Sequence, residues 1–423
     1  MAWEFSTPPE YEDELSWMRQ FVRNKLVPLE ELGLDRRTWM EIAKPLKEEV
    51  KERGLWAAHL SPELGGQGFG QVKLALMHEI MGRTEFAPTV FGAQAPDSGN
   101  SELLAIGGTA EQKKRWLEPL LAGEMYSSFS MTELGRGSDP RQFTTRAVRD
   151  GDDWIINGSK WFISNAAWAD FHIVMVVTDP DVDPYKGMSM IIVPSDAEGV
   201  SLRPLGVMSD PHAQHPVHSQ AEVHYTDVRV PVDNMLGGEG DAFVLAQKRL
   251  GPGRIHHAMR WLGVTQRAFD MLCERAVSVS VHGSSLAKKQ NIQEWVAELA
   301  ARMEASRLLT LQTAWKIDTY GASASRQDIS MIKYFGPSVM HDVLDKAIQI
   351  HGSLGFSTDM PLEAMYRWAR ASRIYDGPDE VHKMSVGKKI LAGYEPVDSP
   401  SEDTRRTRAL GESLYRDLIS EVS

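Results

Sequence analysis

The first third of the chain carries apolar residues at helical spacing. Leu15, Met18 and Val22 follow one another at intervals of three or four positions, which predicts a helix with one buried face. Further along, Thr109 and Gln112 have the spacing of a capping box at the start of another helix. Strict alternation of apolar and polar residues is absent here, so we expect this region to be helical.

Residues 128–231 show a shorter period, close to two. Residues 221–230 alternate between apolar and polar side chains, which is typical of a strand with one buried face. Residues 154–163 contain two β-rich runs on either side of Asn157 and Gly158, the dipeptide that favours a two-residue hairpin turn. The pattern therefore predicts an antiparallel sheet that includes a hairpin at this dipeptide.

Helical spacing returns in residues 241–394. A long apolar stripe runs through Ile332 and Val343 and ends at Gly352. Pro337 lies inside this stripe and predicts a kink or a break, because proline lacks the backbone N–H that a helix interior needs. Four or five such helices fit a bundle.

The chain is thus expected to run from helices through a sheet and back to helices, which is an α+β fold. A repeated βαβ alternation is missing, so a doubly wound nucleotide-binding fold is disfavoured. The expected parts are an N-terminal α-helical domain, a middle antiparallel β domain, a C-terminal four-helix bundle, and a linker with a tail: residues 1–127, 128–236, 237–396 and 397–423.

Composition and charge exclude several classes of protein. Of the 423 residues, 42% are hydrophobic, and the net charge is −12, so nothing indicates nucleic-acid binding. Cys273 is the only cysteine, which excludes an internal disulfide and a Cys-rich zinc site. The N-terminus lacks the features of a targeting peptide, and the apolar runs are too short to span a bilayer. A soluble cytoplasmic protein is the expectation.

The residues around Asp376 are the strongest candidates for chemistry. Gly377 permits a sharp turn, and Pro378 suits the first position of a helix. Asp379 and Glu380 would then fall in the first helical turn, where acidic residues are favoured. Taken alone, Asp376 is most simply an N-cap, since Asp is among the best capping residues. A carboxylate in a loop at a helix start could also act as a base.

A second candidate is the glycine-rich stretch Ser130–Asp139, at the junction of helices and sheet. Its glycines and small hydroxyls would let the backbone approach a flat or phosphorylated ligand. Alone it is weak evidence, because most glycine-rich junctions are turns.

Together, several stretches resemble the acyl-CoA dehydrogenase family, in the family's order, over about residues 10 to 395. The form D-G-P-D-E-V-H and the run R-L-G-P-G-R-I-H-H look most like the branch that contains human acyl-CoA dehydrogenases 10 and 11. The stretches that carry the resemblance are Ala95–Asn100, Gly108–Lys113, Ser130–Asp139, Asn157–Asn165, Gln349–Gly355 and Arg373–Glu380.

The resemblance implies a flavoenzyme whose cofactor is FAD and whose substrate is an acyl-CoA. Asp376 matches the catalytic carboxylate, which would remove the α-proton while the β-hydride passes to the flavin. It further implies an electron-transferring flavoprotein as acceptor and a homodimer or homotetramer. Positions matching FAD contacts are Phe129, Met131, Thr132, Phe162, Ser164 and Gly377, with Gln349, Gly352 and Ser353 toward a neighbouring subunit. Positions matching acyl-CoA contacts are Ser138, Arg254 and Tyr375.

Four positions depart from the family pattern: Val279, His282, Ser353, which replaces a Gly, and Pro378, which replaces the usual Thr. Val279 and His282 stand where the family often has an Arg and a Phe, and that Arg pairs with FAD phosphate across the dimer. Either another basic residue substitutes or FAD binds weakly. Two alternatives therefore stay open: a flavin oxidase of the same fold that acts on a small carbon acid, and a non-catalytic acyl-CoA-binding relative.

The histidines are expected to be structural. No metal site is predicted, because no carboxylate cluster accompanies the loop histidines in sequence and the H-P-V-H run does not suit a helix. His256 and His257 would either touch CoA or cap the bundle. The loop histidines are His212, His215, His218 and His224.

Overall fold

The structure, a computed structural model, describes residues 6–64, 66–137, 139–396 and 407–422. It has the predicted α+β fold, with helices before and after one large sheet. The first residues of the predicted linker lie outside the described residues, and so does Ser138. Among the described residues, no helix combines the length and apolar character that a membrane span requires.

The N-terminal helices pack around a core that includes Leu15 and Met18, which are 2% and 0% exposed. The predicted capping box is confirmed: Thr109 Oγ1 accepts from Gln112 N, and Gln112 Oε1 accepts from Thr109 N. The helices are α1 Pro9–Phe21, α2 Arg36–Glu52, α3 Gln71–Met81, α4 Ala87–Val90, α5 Asp97–Gly107, α6 Ala110–Gln112 and α7 Glu118–Ala122.

The middle of the chain forms an eight-stranded sheet. Its strands are β1 Ser127–Ser130, β2 Arg146–Asp150, β3 Asp153–Ser164, β4 Phe171–Val177, β5 Met188–Pro194, β6 Val200–Leu205, β7 Gln220–Pro231 and β8 Met235–Leu236. The order is β6-β7-β3-β2-β4-β5-β8, with β1 beside β4. Most neighbours are antiparallel, whereas β4 pairs with β1 and β2 in parallel.

The hairpin predicted at Asn157 and Gly158 is wrong. β3 runs unbroken through both residues and pairs with β2 on one side and β7 on the other, with a register shift beside Gly158. A Cβ at Gly158 would lie 2.6 Å from the Cα of Thr145, so the glycine permits a close backbone approach rather than a turn. The turn between β2 and β3 lies earlier, at Gly151, where φ is 62°.

The C-terminal part is dominated by long helices. They are α8 Ala242–Ser278, α9 Gln290–Tyr320, α10 Arg326–His351, α11 Ser353–Phe356, α12 Leu362–Ala369, α13 Asp379–Leu391 and α14 Thr407–Val422, and the short hairpin β9 Ser280–Val281 and β10 Ser284–Ser285 follows α8. Ile332 and Val343 of the predicted stripe are 1% and 0% exposed. α10 continues past Pro337 without a break.

Helix α8 positions the candidate site. It packs against α3 from the N-terminal region and against α9 and α10 from the bundle. Ile255, Met259 and Trp261 are at most 1% exposed, so the helix is anchored on its apolar side chains. The polar residues between them are therefore held at fixed angles around the helix axis.

Candidate active site

The loop between α12 and α13 holds Asp376 in a left-handed conformation. Its φ is 54°, and that of Gly377 is 97°. Asp376 is not the N-cap of α13, as the simplest interpretation had it, because Pro378 occupies that position and α13 begins at Asp379.

The backbone carbonyl of Asp376 fixes this loop. It accepts hydrogen bonds from Arg254 Nη2 at 3.2 Å and from His382 Nε2 at 3.1 Å. A Cβ on Gly377 would lie 2.7 Å from His382 Nε2, so only glycine fits between the loop and that ring. Arg254, which the resemblance matches to an acyl-CoA contact, thus lies at Asp376, and the structure adds His382 as a second anchor.

The carboxylate of Asp376 faces His257. His257 Nε2 lies 3.4 Å from Asp376 Oδ2. The imidazole is bordered by Trp261, whose ring is nearly parallel at 6.0 Å, and by Tyr375 at 5.2 Å. Trp261 Nε1 donates to the Tyr375 hydroxyl at 2.9 Å, which joins the two aromatic residues beside the histidine.

Sequence analysis left His257 open between a CoA contact and a cap of the bundle, and it did not select Trp261 at all. The available signal was helical spacing. Residues 254, 257 and 261 are three and four positions apart, which places them on one face of α8.

Basic side chains lie around the carboxylate of Asp376. Burial lowers the pKa of Arg254, and the charge of Asp376 opposes that effect. Burial likewise lowers the pKa of Lys333 to about 8, with Asp376 and Asp379 again opposing. Burial lowers the pKa of Arg260 to about 10. These cations favour the ionised form of a nearby carboxylate.

His256 points away from Asp376. Its ring stacks on His78 of α3 with the centroids 4.2 Å apart. Burial, and then the neighbouring basic groups, lower the pKa of both rings well below the usual histidine value. The two adjacent histidines of α8 therefore have different surroundings.

The candidate flavin residues at the end of β1 are held by hydrogen bonds to β3. Lys160 Nζ donates to Met131 O at 2.8 Å, and Trp161 N donates to Thr132 O at 2.9 Å. Lys160 also pairs with Glu133 at 3.0 Å. Burial alone would raise the pKa of Glu133, but Lys160 and backbone N–H donors hold it at about 2.

Phe162 presents an open aromatic surface beside this segment. Its ring is 48% exposed although it belongs to β3, and its φ is 53° at a second register shift of the strand. Ser164 follows and accepts a hydrogen bond from Gln220 Nε2 at 3.0 Å. Phe129 precedes Met131 in β1 and is partly buried. An exposed ring with hydroxyls nearby fits a flat, polar-edged group such as a flavin.

The residues matched to a neighbouring subunit's FAD lie at the end of α10. Gln349, Gly352 and Ser353 are all exposed, and Gly352 ends the helix with φ at 63°. Val279 follows the last residue of α8. One turn earlier, the Nε of Arg275 is buried and has no hydrogen-bond partner within the described parts of the chain. Arg275 is therefore a candidate for the missing phosphate contact.

The fold places the carboxylate of Glu85 beside two of the loop histidines. The sequence did not indicate this contact. His215 and His218 stack at 3.8 Å, and their Nε2 atoms lie 3.6 and 3.5 Å from Glu85 Oε2. Val217 N donates to Nδ1 of His215. The proton of a neutral His215 ring then sits on Nε2, so that atom has no lone pair for a metal. The absence of a metal site stays a prediction.

Comparison with known proteins identifies the family. Three family models match: the acyl-CoA dehydrogenase N-terminal domain over residues 8–124, the middle domain over 128–228 and the C-terminal domain over 240–391. "Acyl-CoA dehydrogenase family member 11" from Gallus gallus is 41% identical over 88% of this chain, and the chain spans about half (49%) of its length. "Probable acyl-CoA dehydrogenase FadE2" from Mycobacterium tuberculosis is 42% identical over 83% of this chain and 86% of its own.

Solved structures agree. A putative acyl-CoA dehydrogenase from Mycobacterium abscessus superposes with a TM-score of 0.87 at 36% identity, covering 92% of this chain and 100% of its own. A glutaryl-CoA dehydrogenase from Mycobacterium smegmatis, solved in complex with FADH2, shares the fold with a TM-score of 0.79 at 24% identity, covering 93% of this chain and 97% of its own. This chain belongs to the acyl-CoA dehydrogenase family.

Proposed function

We propose that the protein is a FAD-dependent acyl-CoA dehydrogenase in which Asp376 is the catalytic base. The observation that supports this most directly is the geometry of the 376 loop. Its backbone is anchored by Arg254 and His382, and its carboxylate faces His257. An anchored carboxylate on a rigid loop suits proton abstraction, because a base must be held within hydrogen-bond reach of a weakly acidic C–H group.

In this proposal, Asp376 removes the α-proton of the acyl thioester and holds it on a carboxylate oxygen. Bound FAD supplies the redox step by accepting the β-hydride, so the product is a 2-enoyl-CoA. A backbone N–H beside Asp376 would donate to the thioester oxygen and increase the acidity of the α-carbon. Arg254 and Tyr375 line the substrate side.

The cofactor of this family is FAD, and the surface beside Phe162 is where we place the flavin ring. Phe129, Met131, Thr132, Ser164 and Gly377 would complete that site. Further proposals are an electron-transferring flavoprotein as acceptor, a homodimer or homotetramer, and contacts from Gln349, Gly352 and Ser353 to a neighbouring subunit's FAD.

Anaerobic titration of the FAD-loaded protein with butyryl-, octanoyl- and palmitoyl-CoA tests the proposal. Flavin absorbance near its long-wavelength maximum should bleach with at least one of these thioesters. In Asp376→Asn, which keeps the shape but removes the base, the bleaching rate should fall by about a hundredfold to ten-thousandfold.

This titration, together with an aerobic assay of oxygen consumption, distinguishes the alternatives. A protein that takes up no flavin when FAD is supplied contradicts the proposal. Rapid oxygen consumption with a small carbon acid, and no bleaching by any acyl-CoA, would favour the flavin oxidase. Acyl-CoA binding without turnover in the wild type would favour a non-catalytic relative.

A further inference from the structure

We propose that His257 is a positioning residue for Asp376, and that its protonation state sets the strength of that base. The inference rests on the proposed function, since it concerns the same carboxylate. It is carried by one contact: His257 Nε2 lies 3.4 Å from Asp376 Oδ2.

The approach is built into the fold. His257 and Arg254 lie one turn apart on α8, and they reach different atoms of one residue: Arg254 the carbonyl, His257 the carboxylate. The imidazole cannot swing freely, because Trp261 and Tyr375 border it and are hydrogen-bonded to each other. Both ionisable side chains are partly exposed, at 22% and 24%, so the pair can exchange protons with solvent.

A carboxylate on a short side chain needs such a partner. Aspartate places its oxygens about 1–1.5 Å nearer the backbone than glutamate, a distance at which positioning already changes rates. Arg254 and His382 fix the backbone of Asp376, but neither of these hydrogen bonds fixes its χ angles. A neutral His257 that donates Nε2–H would select the rotamer that faces the substrate.

The charge of His257 then matters. A protonated imidazole favours the carboxylate anion and thereby makes Asp376 a weaker base. A neutral imidazole orients the carboxylate without that penalty. The α-proton ends on Asp376 and His257 keeps its own proton, so only the proton affinity of the base changes. Abstraction should therefore slow as pH falls through the titration of His257.

Other titratable groups lie near this pair. Burial lowers the pKa of Lys333 to about 8 and that of Arg260 to about 10, so both stay cationic below neutral pH. Burial lowers the pKa of His382 to about 4. Among the described residues, the titratable groups around the pair include Arg254 and Arg260 on α8, Lys333 on α10, Tyr375 in the loop, and Asp379 and His382 on α13, whereas His256 of α8 stacks on His78 of α3.

Histidine ring NMR tests the pair without requiring turnover. In the FAD-loaded protein, the His257 resonance is assigned by its loss in His257→Gln. A carboxylate at this distance stabilises the imidazolium, so the midpoint of the His257 titration should fall by about one pH unit or more in Asp376→Asn. The ring of His256, which stacks on His78 of α3, should not follow. An unchanged His257 midpoint overturns the proposal, whether or not any acyl-CoA is oxidised.

Kinetics tests the consequence. The rate of flavin bleaching at saturating octanoyl-CoA, or whichever panel member reacts fastest, is measured between pH 5 and 8. The wild type should show an ionisation in the histidine range that His257→Gln lacks, because glutamine donates a hydrogen bond but does not titrate. His257→Ala, which cannot donate, should be about tenfold to a hundredfold slower than the wild type.

His256→Gln is the matched control, since it removes the neighbouring histidine of the same helix. It should keep the wild-type pH profile even if it lowers the melting temperature. The proposal is overturned if His257→Gln keeps the histidine-range ionisation, or if His256→Gln loses it. If no acyl-CoA bleaches the flavin, the proposed function fails and the NMR titration alone decides the status of the pair.

Discussion

At the scale of single residues, the site depends on conformations that few amino acids can adopt. Asp376 and Gly377 are consecutive residues with positive φ, and the second leaves no room for a Cβ. Local strain of this kind persists only where surrounding contacts enforce it, and here Arg254 and His382 do so.

Gly377→Ala should separate activity from folding. The added Cβ would meet His382 Nε2 at 2.7 Å, so the ring must leave and its bond to the Asp376 carbonyl is lost. We expect the flavin bleaching rate to fall by about a hundredfold, with a stability loss of about 1–3 kcal/mol. Gly387→Ala, inside α13 with nothing near its added Cβ, is the control and should be neutral or mildly stabilising.

A buried histidine should make stability depend on pH. His172 is fully buried between Ser128 and Ser195, and burial lowers its pKa to about 4. The unfolded chain binds this proton near pH 6.5 and the folded one does not, so stability falls as pH drops from about 6.5 to 4. The loss approaches about 3 kcal/mol at the acid end of that window.

Urea unfolding of wild type and His172→Gln at several pH values checks this. The difference in free energy of unfolding between the two proteins should shift in favour of the variant as pH falls. His212→Gln, at an exposed position, is the control and should follow the wild type. A constant difference between pH 4 and 7 would contradict the prediction.

Sequence reasoning found part of this residue-scale picture. Asp376 and Arg254 were reached through motifs, and the structure places them in contact. His257 could not be chosen over His256, because the two are adjacent in sequence and their difference arises from which helices α8 packs against. Nor could the carboxylate of Glu85 be assigned to the loop histidines, since the two segments meet only in the folded chain.

At the scale of elements, the spacing of apolar residues predicted where helices and strands lie. The structural role of Gly158, in contrast, could not be predicted from its local sequence. Asn157 and Gly158 form the dipeptide most typical of a hairpin, yet β3 passes straight through them. The competing requirement was the close approach of Thr145, the residue directly before β2, which no local pattern reveals. Pro337 similarly lies inside α10, whose packing maintains the helix on both sides of it.

The end of α8 gives a prediction about cofactor affinity. Val279 stands where the resemblance implies an Arg that binds FAD phosphate, and one turn earlier the buried Nε of Arg275 has no hydrogen-bond partner among the described residues. We propose that Arg275 contacts the FAD phosphates. Arg275→Met should then raise the Kd for FAD about tenfold to a hundredfold, the value of one or two charged hydrogen bonds.

Equilibrium dialysis with flavin fluorescence measures that Kd. Arg302→Met, which removes an arginine that pairs with Asp342 on the surface of the bundle, is the matched control and should leave FAD binding unchanged. Equal affinity in the Arg275 variant and the wild type would mean that the phosphates are held elsewhere.

At the scale of the whole molecule, the order of helices, sheet and helices followed from where the period changes along the chain. The spacing of apolar residues does not predict which faces of the helices and the sheet pack against each other. The site joins α8 to the 376 loop across the bundle and to α3 across the N-terminal region, and such pairings depend on long-range packing.

The bond between Arg254 and Asp376 has a consequence for biosynthesis, since it spans 122 positions of sequence. A ribosome would finish the sheet and α8 well before it reaches the base. A chain that ends prematurely before Arg370 would therefore contain the residues that fold into the sheet and α8. Its Arg254 and His257 would lack Asp376 as a partner. On the proposed function, catalytic competence would be acquired only after both the sheet and α8 have been synthesised.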